Sequence, residues 1–311
     1  MLGELVSHGF FIESVASAIA IALLLAERHR VHAAVKTITH DEIVDGLIFA
    51  VIAFVIYPLI PAQPQVLLGY VFDLQLVWKV IVVASLLSYG AHLLAKYLHS
   101  RGVLIATFFG GAVSSLGIIH LYAHKQKRGV ELLRFAMVTS SAGAYLADLF
   151  LLLFIAPALV FPAATSIIVA TLVLAVFALI YRQQRIQAGV FSKPLSFSFV
   201  LEFALLFFSV ELLSSYAVSA FGQGGLLVSS FIGGLASSTA VFASVAAMFQ
   251  AGNVTSFNAG LAMLLGLAGS LAVKLGFLYG KVKQRDFAKL LIPAVAALVA
   301  GAAVFIFLSP A

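Results

Sequence analysis

The sequence has few charged residues and no cysteine. Charged residues make up 10% of its 311 positions and hydrophobic residues 63%, and its mean hydropathy is +1.13. A soluble domain has about 25% charged and roughly 45–50% apolar residues, so the composition excludes a water-soluble globular protein. The lack of cysteine excludes a disulfide framework, thiolate metal sites and cysteine nucleophiles. The composition is that of a polytopic membrane protein.

The sequence also lacks the short motifs of nucleotide-driven pumps and of common hydrolases. It contains no GxxxxGK[ST] loop, no HExxH and no GxSxG. The first absence argues against ATP-driven pumping by this chain, and the other two argue against an intramembrane enzyme. We therefore expect no enzymatic activity, no cofactor and no resident metal.

Ten apolar segments are each close to the ~20 residues that cross a ~30 Å hydrocarbon core. They are Leu5–Ala26, Ile43–Ile60, Leu76–Leu98, Val103–Tyr122, Leu132–Ala156, Leu159–Tyr181, Phe197–Ala220, Gly225–Phe249, Phe257–Tyr279 and Phe287–Leu308. The first contains Glu13 and lacks a basic region and a cleavage site, so we interpret it as a retained helix.

The basic residues test how many of these segments cross the membrane. Sixteen of the 18 Lys and Arg residues lie in the connections after segments 1, 3, 4, 6 and 9 or at the adjoining helix ends, and the loops after segments 2, 5, 7 and 8 have none. Ten crossings would divide these charges almost evenly between the two sides. If segments 4 and 8 instead enter the membrane and return, all sixteen lie on the cytoplasmic side, as short loops prefer. The sequence thus predicts eight transmembrane helices plus two re-entrant hairpins, with both termini outside.

The two predicted hairpins resemble each other. Residues 101–119 align without gaps on residues 224–242, with seven of 19 positions identical. Both copies carry Gly-Gly-x-x-Ser-Ser, at Gly110, Gly111, Ser114 and Ser115 and at Gly233, Gly234, Ser237 and Ser238, the latter followed by Thr239. Three crossings and a hairpin per copy predict an inverted-topology repeat, an architecture common among secondary transporters.

The repeat divides the all-α chain into three parts within one membrane domain. Residues 1–75 hold helices 1 and 2, residues 76–182 form repeat A with its hairpin near 103–122, and residues 197–309 form repeat B with its hairpin near 225–249. Glycines permit close backbone approach, and a helix restarting after them presents free N–H groups. The two hairpin tips are therefore the candidate site for a substrate or ion. Packing of small residues between ordinary helices is the alternative.

Charged residues inside the segments are costly and become candidates for coupling or ion pairing. Glu202 and Lys274 lie at similar depth and could pair, and the repeat makes Lys79 with Asp148 the mirror pair. Structural latches or charges that reach the membrane surface are the alternative. Glu211 lies near the middle of its segment with no basic residue at its depth, which makes it a candidate proton or cation carrier.

The stretch Leu23–Pro61, the helix of Trp78, GGAVSS and VKLGFLYG at Val273–Gly280 together resemble the membrane module of unknown function that ends many MgtC/SapB family proteins. The resemblance runs from about Leu23 onward and implies a stand-alone version lacking most of the MgtC-like part. The family module often has acidic residues where this chain has Ser237, Ser238 and Thr239. That departure weakens a divalent-cation site and leaves room for an anion or a neutral solute. Lys274 matches a lysine common in the family.

The predicted function is a secondary transporter or ion-coupled carrier of the plasma membrane, with its site at the two hairpin tips and Glu211 and Asp148 in coupling. A passive channel of the same architecture and a non-transporting regulator, which the resemblance suggests, are the alternatives. The expected partners are the bilayer and a small solute or ion. Nucleic acid is not expected, because the basic loops would lie against lipid head groups. A GxxxG at Gly276 and Gly280 could support a homodimer contact.

Overall fold

The computed structural model describes Val15, Ala22 and residues 39–61, 63, 65–67, 70–97, 103–124, 129–181 and 197–308. It divides the chain into two compact units, Met1–Leu47 and Ile48–Ala311. In the first unit, Thr39 and Glu42 begin a helix: the Thr39 backbone N–H donates to Glu42 Oε2 at 2.7 Å, and the Glu42 N–H donates to Thr39 Oγ1 at 3.4 Å. This reciprocal pairing satisfies two amides that a helix start leaves free. The first predicted segment lies outside the described residues.

The described part of the chain is almost entirely helical. Helix α1, His40–Ala50, continues through a π-helical turn at Val51–Ile56 and a 3₁₀ turn at Tyr57–Leu59. A short antiparallel hairpin follows, β1 at Gln65–Leu67 and β2 at Tyr70–Phe72, with Val66 opposite Val71. The remaining elements are α2 (Leu74–Tyr97), α3 (Val103–His124), α4 (Gly129–Ile155), α5 (Pro157–Ile180), α6 (Phe197–Ala236), α7 (Ser238–Gln250), α8 (Ser256–Tyr279) and α9 (Gln284–Leu308). The predicted all-α class is confirmed apart from this hairpin.

Length and composition identify a membrane protein. Seven helices among the described residues are long and apolar enough to span a bilayer. Helix α9 has one face buried in the protein and one apolar face exposed on its surface. Leu290, Ala294, Ala297, Gly301 and Phe305 are buried, whereas Ile292, Val295, Val299, Ile306 and Phe307 are exposed, Phe307 by 87%. A continuous apolar face of this kind is suited to contact with lipid chains.

Helix α3 folds back on itself at Ser114. That residue has φ −158° and ψ 99°, which lie outside the helical region. The Thr107 and Tyr122 hydroxyls form a hydrogen bond at 3.0 Å although 15 residues separate them. In a straight helix these residues would be about 22 Å apart. We therefore treat α3 as two antiparallel arms, α3a (103–113) and α3b (115–124).

Helix α6 also reverses, at Gly222, whose φ of 62° is in the region that favours glycine. The Ser229 hydroxyl donates to Ser214 Oγ at 3.1 Å across the reversal, which separates α6a (197–221) from α6b (223–236). A second break at Ser237, with φ −161° and ψ 119°, precedes α7. Gly233, four residues before that break, lies against the side chain of Val241, four residues after it. The α6b and α7 segments thus form a bent pair like the two arms of α3.

The internal repeat is visible in how the helices pack. A Cβ on Gly111 of α3 would overlap the carbonyl of Ser140 in α4, and a Cβ on the matching Gly234 of α6 would overlap that of Gly266 in α8. The reverse contacts also match, because Gly143 lies against the Phe108 carbonyl and Gly269 against the Phe231 carbonyl. The same backbone-to-backbone approach therefore joins α3 to α4 and α6 to α8.

The boundaries of the elements differ from those predicted. Segments 7 and 8 are separate in the sequence, but helical residues run through Phe197–Ala236 with a reversal at Gly222. The break inside the second GGxxSS motif then separates this run from the 13-residue α7. The short β hairpin before α2 was not predicted, because its strands are only three residues long.

Candidate functional site

Two equivalent serines cap the helices that restart after the breaks. Ser114 Oγ accepts a hydrogen bond from the Gly117 backbone N–H at 3.2 Å. Ser237 Oγ accepts one from the Ala240 N–H, also at 3.2 Å. Each serine has the extended backbone of a helix N-cap and satisfies the third amide of the first turn. The sequence motif GGxxSS thus places a helix start, α3b or α7, at its first serine in both repeats.

The two restarting helices open onto one cavity of about 140 Å³. We call this the inner cavity. Its wall combines both GGxxSS motifs with residues of α4 and α8. The lining residues are Gly111, Ala112, Val113, Ser114, Ser115, Leu116, Ala144, Gly234, Leu235, Ala236, Ser237, Ser238, Thr239, Ser270, Val273 and Lys274. Most of the residues predicted for the hairpin site therefore come together, and Gly110 and Gly233 are buried beside them.

Asp148 of α4 binds the start of α7. Its Oδ2 accepts from Ser238 Oγ at 2.7 Å and its Oδ1 accepts from Thr239 Oγ1 at 2.5 Å. The side chain is fully buried, at 0% exposure. A carboxylate at the N-terminus of a helix is favoured both by the hydroxyl donors and by the helix dipole. Repeat A thus supplies an anionic group to the break of repeat B.

Lys274 of α8 is equally buried, at 1% exposure, and lines the inner cavity. Its Nζ donates to Ser141 Oγ of α4 at 3.1 Å and lies 5.9 Å from the centre of the Tyr145 ring, within range of a cation–π contact. An electrostatic interaction also links Lys274 with Asp148. Lys274 thus lines the cavity that both breaks adjoin, whereas Asp148, its counterpart in the repeat, binds the start of α7.

The two predicted ion pairs do not form. Asp148 bonds to hydroxyls rather than to Lys79, and Lys274 bonds to Ser141 rather than to Glu202. Lys79 and Glu202 are both exposed, and neither takes part in a salt bridge within the described part of the chain. Two residues at the same depth can still point away from each other, because each side chain also has a direction around its helix axis. The predicted pairs fail for this reason.

Glu202 instead lines a second, larger cavity of about 390 Å³, together with Ser88 of α2. This cavity, which we call the vestibule, shares Ala112, Val113, Ala236, Ser237 and Thr239 with the inner cavity. The two spaces therefore adjoin at the breaks.

Glu211 is buried, but it lines neither the inner cavity nor the vestibule. Its Oε2 has no hydrogen-bond partner within the described residues. Its carboxylate interacts electrostatically with that of Asp73. Within the described part of the chain, Glu211 takes part in no salt bridge. The structure does not bring Glu211 to the hairpin tips.

Three residues at the site were not singled out from the sequence. Ser141 holds the Lys274 ammonium, Tyr145 lies over it and donates from its hydroxyl to the Leu267 carbonyl at 3.2 Å, and Ser270 lines the inner cavity. The run of small and polar residues at 139–144 was the available signal, because a stretch of this kind inside an apolar helix indicates close or polar packing.

A known protein family matches a large part of the chain. Residues 81–280, more than half of the chain, match the family described as "Domain of unknown function (DUF4010)". The chain belongs to the DUF4010 family. The matched range contains both GGxxSS breaks, Asp148 and Lys274, so the family domain includes the whole inner cavity. No curated protein and no solved structure matches this DUF4010 chain.

Proposed function

We propose that this DUF4010 protein is a secondary transporter or ion-coupled carrier whose binding site is the inner cavity. The observation that carries the proposal is the meeting of two serine-capped helix starts and one buried lysine around one small polar space. Broken helices whose ends face a central site are characteristic of carrier folds, because the break supplies backbone groups that a continuous helix would use internally.

The paired breaks also support the predicted topology. Each arm of α3 has about ten residues, or roughly 15 Å at 1.5 Å per residue, which is about half the thickness of a hydrocarbon core. An arm of this length that turns back at Ser114 fits a re-entrant hairpin. We extend the same interpretation to α6b and α7, which gives eight crossings, an inverted repeat and both termini outside the plasma membrane.

Coupling would fall to the buried carboxylates. Asp148 contacts both hydroxyls at the start of α7, so a change in its protonation or partners would act directly on the site. Glu211 lies apart from the cavity and would act through α6a. A passive channel with the same site is the second candidate, and the two adjacent cavities that share wall residues at the breaks favour it over a non-transporting regulator.

Flux measurements on the full chain in liposomes test the proposal. Nitrate, chloride, formate, glycine and potassium serve as probes, each with and without a proton or sodium gradient. A carrier accumulates at least one probe against its own gradient with saturating kinetics. Ser115→Ala or Ser238→Ala should reduce that uptake, whereas Ser209→Ala, at an exposed position on α6a, should not. Non-saturating downhill flux would indicate a channel, and no flux through folded protein would contradict transport.

We further propose that the DUF4010 domain is related to the membrane module of MgtC/SapB proteins. The support is the sequence resemblance around GGAVSS and VKLGFLYG, both of which lie within the matched range. We expect Lys274→Met to impair this protein, and substitution of the corresponding lysine in an MgtC/SapB module should then impair that protein as well.

A further inference from the structure

The Lys274 ammonium is incompletely satisfied. It donates a single hydrogen bond, to Ser141, and forms no salt bridge with any residue that the structure describes. An ammonium has three N–H donors, so two remain for another partner. Lys274 is only 1% exposed and is the one ionisable side chain among the described residues that line the inner cavity. Asp148 interacts with Lys274 electrostatically but does not occupy these donors, so an acceptor in the cavity would stabilise the buried ammonium.

The internal repeat indicates where that partner would bind. At the start of α7, the Asp148 carboxylate occupies the position of an anion on Ser238 and Thr239. The equivalent first turn of α3b, at Ser115 and Leu116, faces the same cavity, but the counterpart of Asp148 on α8 is Lys274. The chain supplies an anion to one helix start and a cation beside the other. The start of α3b therefore lacks the negative group that the start of α7 has.

We infer that the inner cavity binds a small monovalent anion between the first turn of α3b and the Lys274 ammonium. Amides at a helix start and a lysine together are suited to hold an oxyanion or a halide. The cavity volume of about 140 Å³ compares with roughly 30 Å³ for a water molecule in the liquid. It therefore suits an anion of a few atoms, such as nitrate, chloride or formate, together with water.

The inference rests on the proposed function only in treating the anion as the transported solute. Asp148 does not oppose the anion directly, because it is absent from the described cavity wall and both its oxygens are bound by hydroxyls. Binding can thus be measured without transport.

The test is thermal unfolding of the full chain in detergent at constant ionic strength. Sodium gluconate is replaced stepwise by sodium nitrate, chloride or formate. We expect at least one of these small anions to raise the melting temperature with saturation, and replacing sodium by potassium to change nothing. Lys274→Met should raise the anion concentration that gives half of the stabilisation at least about tenfold, as loss of a charged hydrogen-bond partner does. Lys283→Met, which removes an exposed lysine, should not.

Two further variants keep the test decisive if Lys274→Met does not fold. Lys274→Arg retains the charge and should retain binding, and Ser115→Ala removes a hydroxyl from the cavity wall and should weaken it. No saturable anion dependence in the folded wild-type chain, or dependence that survives Lys274→Met, would overturn the inference. Uphill uptake of glycine or potassium without anion binding would overturn the anion site but leave the proposed transport function standing. Anion binding without flux would support it and count against transport.

Discussion

Individual glycines determine how closely the helices of each repeat approach. Gly269 of α8 lies against the Phe231 carbonyl, and a side chain there would overlap backbone atoms that have little freedom to move. Gly276, two turns later on the same helix, faces open space within 4 Å of its would-be Cβ. The same residue type thus has different structural importance at two positions of one helix.

We expect Gly269→Ala to destabilise the protein by about 1–3 kcal/mol, because overpacking displaces the backbone of α6b. Gly276→Ala should be neutral or slightly stabilising, since alanine favours the helix and meets no neighbour. The melting temperatures of the two purified variants in the same detergent provide the measurement. Equal destabilisation by both would show that the close approach at Gly269 has no energetic importance.

The buried charges of Asp148 and Lys274 should be energetically coupled. Asp148→Asn or Lys274→Met alone leaves one buried charge without its opposite, whereas the double variant leaves none. We expect the double variant to be more stable than the sum of the single effects predicts, by about 1–3 kcal/mol. A double-mutant cycle on melting temperature measures this.

The exposed pair Asp286 and Lys289, joined at 3.0 Å, provides the matched cycle. Its coupling should be too small to resolve, because solvent screens a surface ion pair. Additive effects at Asp148 and Lys274 would mean that the two charges do not interact.

At the scale of elements, the reversal of α3 is the feature that creates the site. The antiparallel arms bring Thr107 and Tyr122 into contact and leave Ser114 at the tip. Cysteines introduced at Thr107 and Tyr122 of this cysteine-free chain should be joined by a short, membrane-permeant bifunctional thiol reagent, and mass spectrometry should detect the bridged peptides.

The control is a pair with the same spacing in an uninterrupted helix. Cysteines at Phe257 and Ala272 of α8 are also 15 residues apart and would lie about 22 Å from each other, so we expect no bridge between them. Failure of the α3 pair to react while each single cysteine remains reactive would argue for a straight α3.

Sequence reasoning located the breaks but not the side-chain partners. GGxxSS identifies a position where two helices end and restart, because it combines residues that allow close approach with residues that cap helices. The charge pairs failed because depth along a helix is only one coordinate. The rotation of Lys79 and Glu202 about their helix axes, which depends on packing against the rest of the bundle, left both exposed. The same limit hid Ser141, whose role depends on a contact with α8.

At the scale of the whole molecule, the distribution of basic residues makes a prediction about sidedness. A single cysteine at Gln126, between α3 and α4, should be protected from an impermeant thiol reagent on intact cells. A cysteine at Asn253, between α7 and α8, should be labelled. Both follow if the two bent pairs return to the side from which they enter.

Permeabilised cells provide the accessibility control, since both positions should then react. Labelling at Gln126 with protection at Asn253 would instead mean ten ordinary crossings, and the proposed transporter would lose its topological support.

The opposite signs of Asp148 and Lys274 also bear on how such a molecule could arise. Two identical halves assembling as separate chains would carry the same residue at both positions, so the two buried groups would have the same charge. A single gene encoding both halves removes that restriction, because each copy can change its residue independently. The sign difference therefore requires two halves that differ in sequence at this position, which a homodimer of half-length chains could not provide.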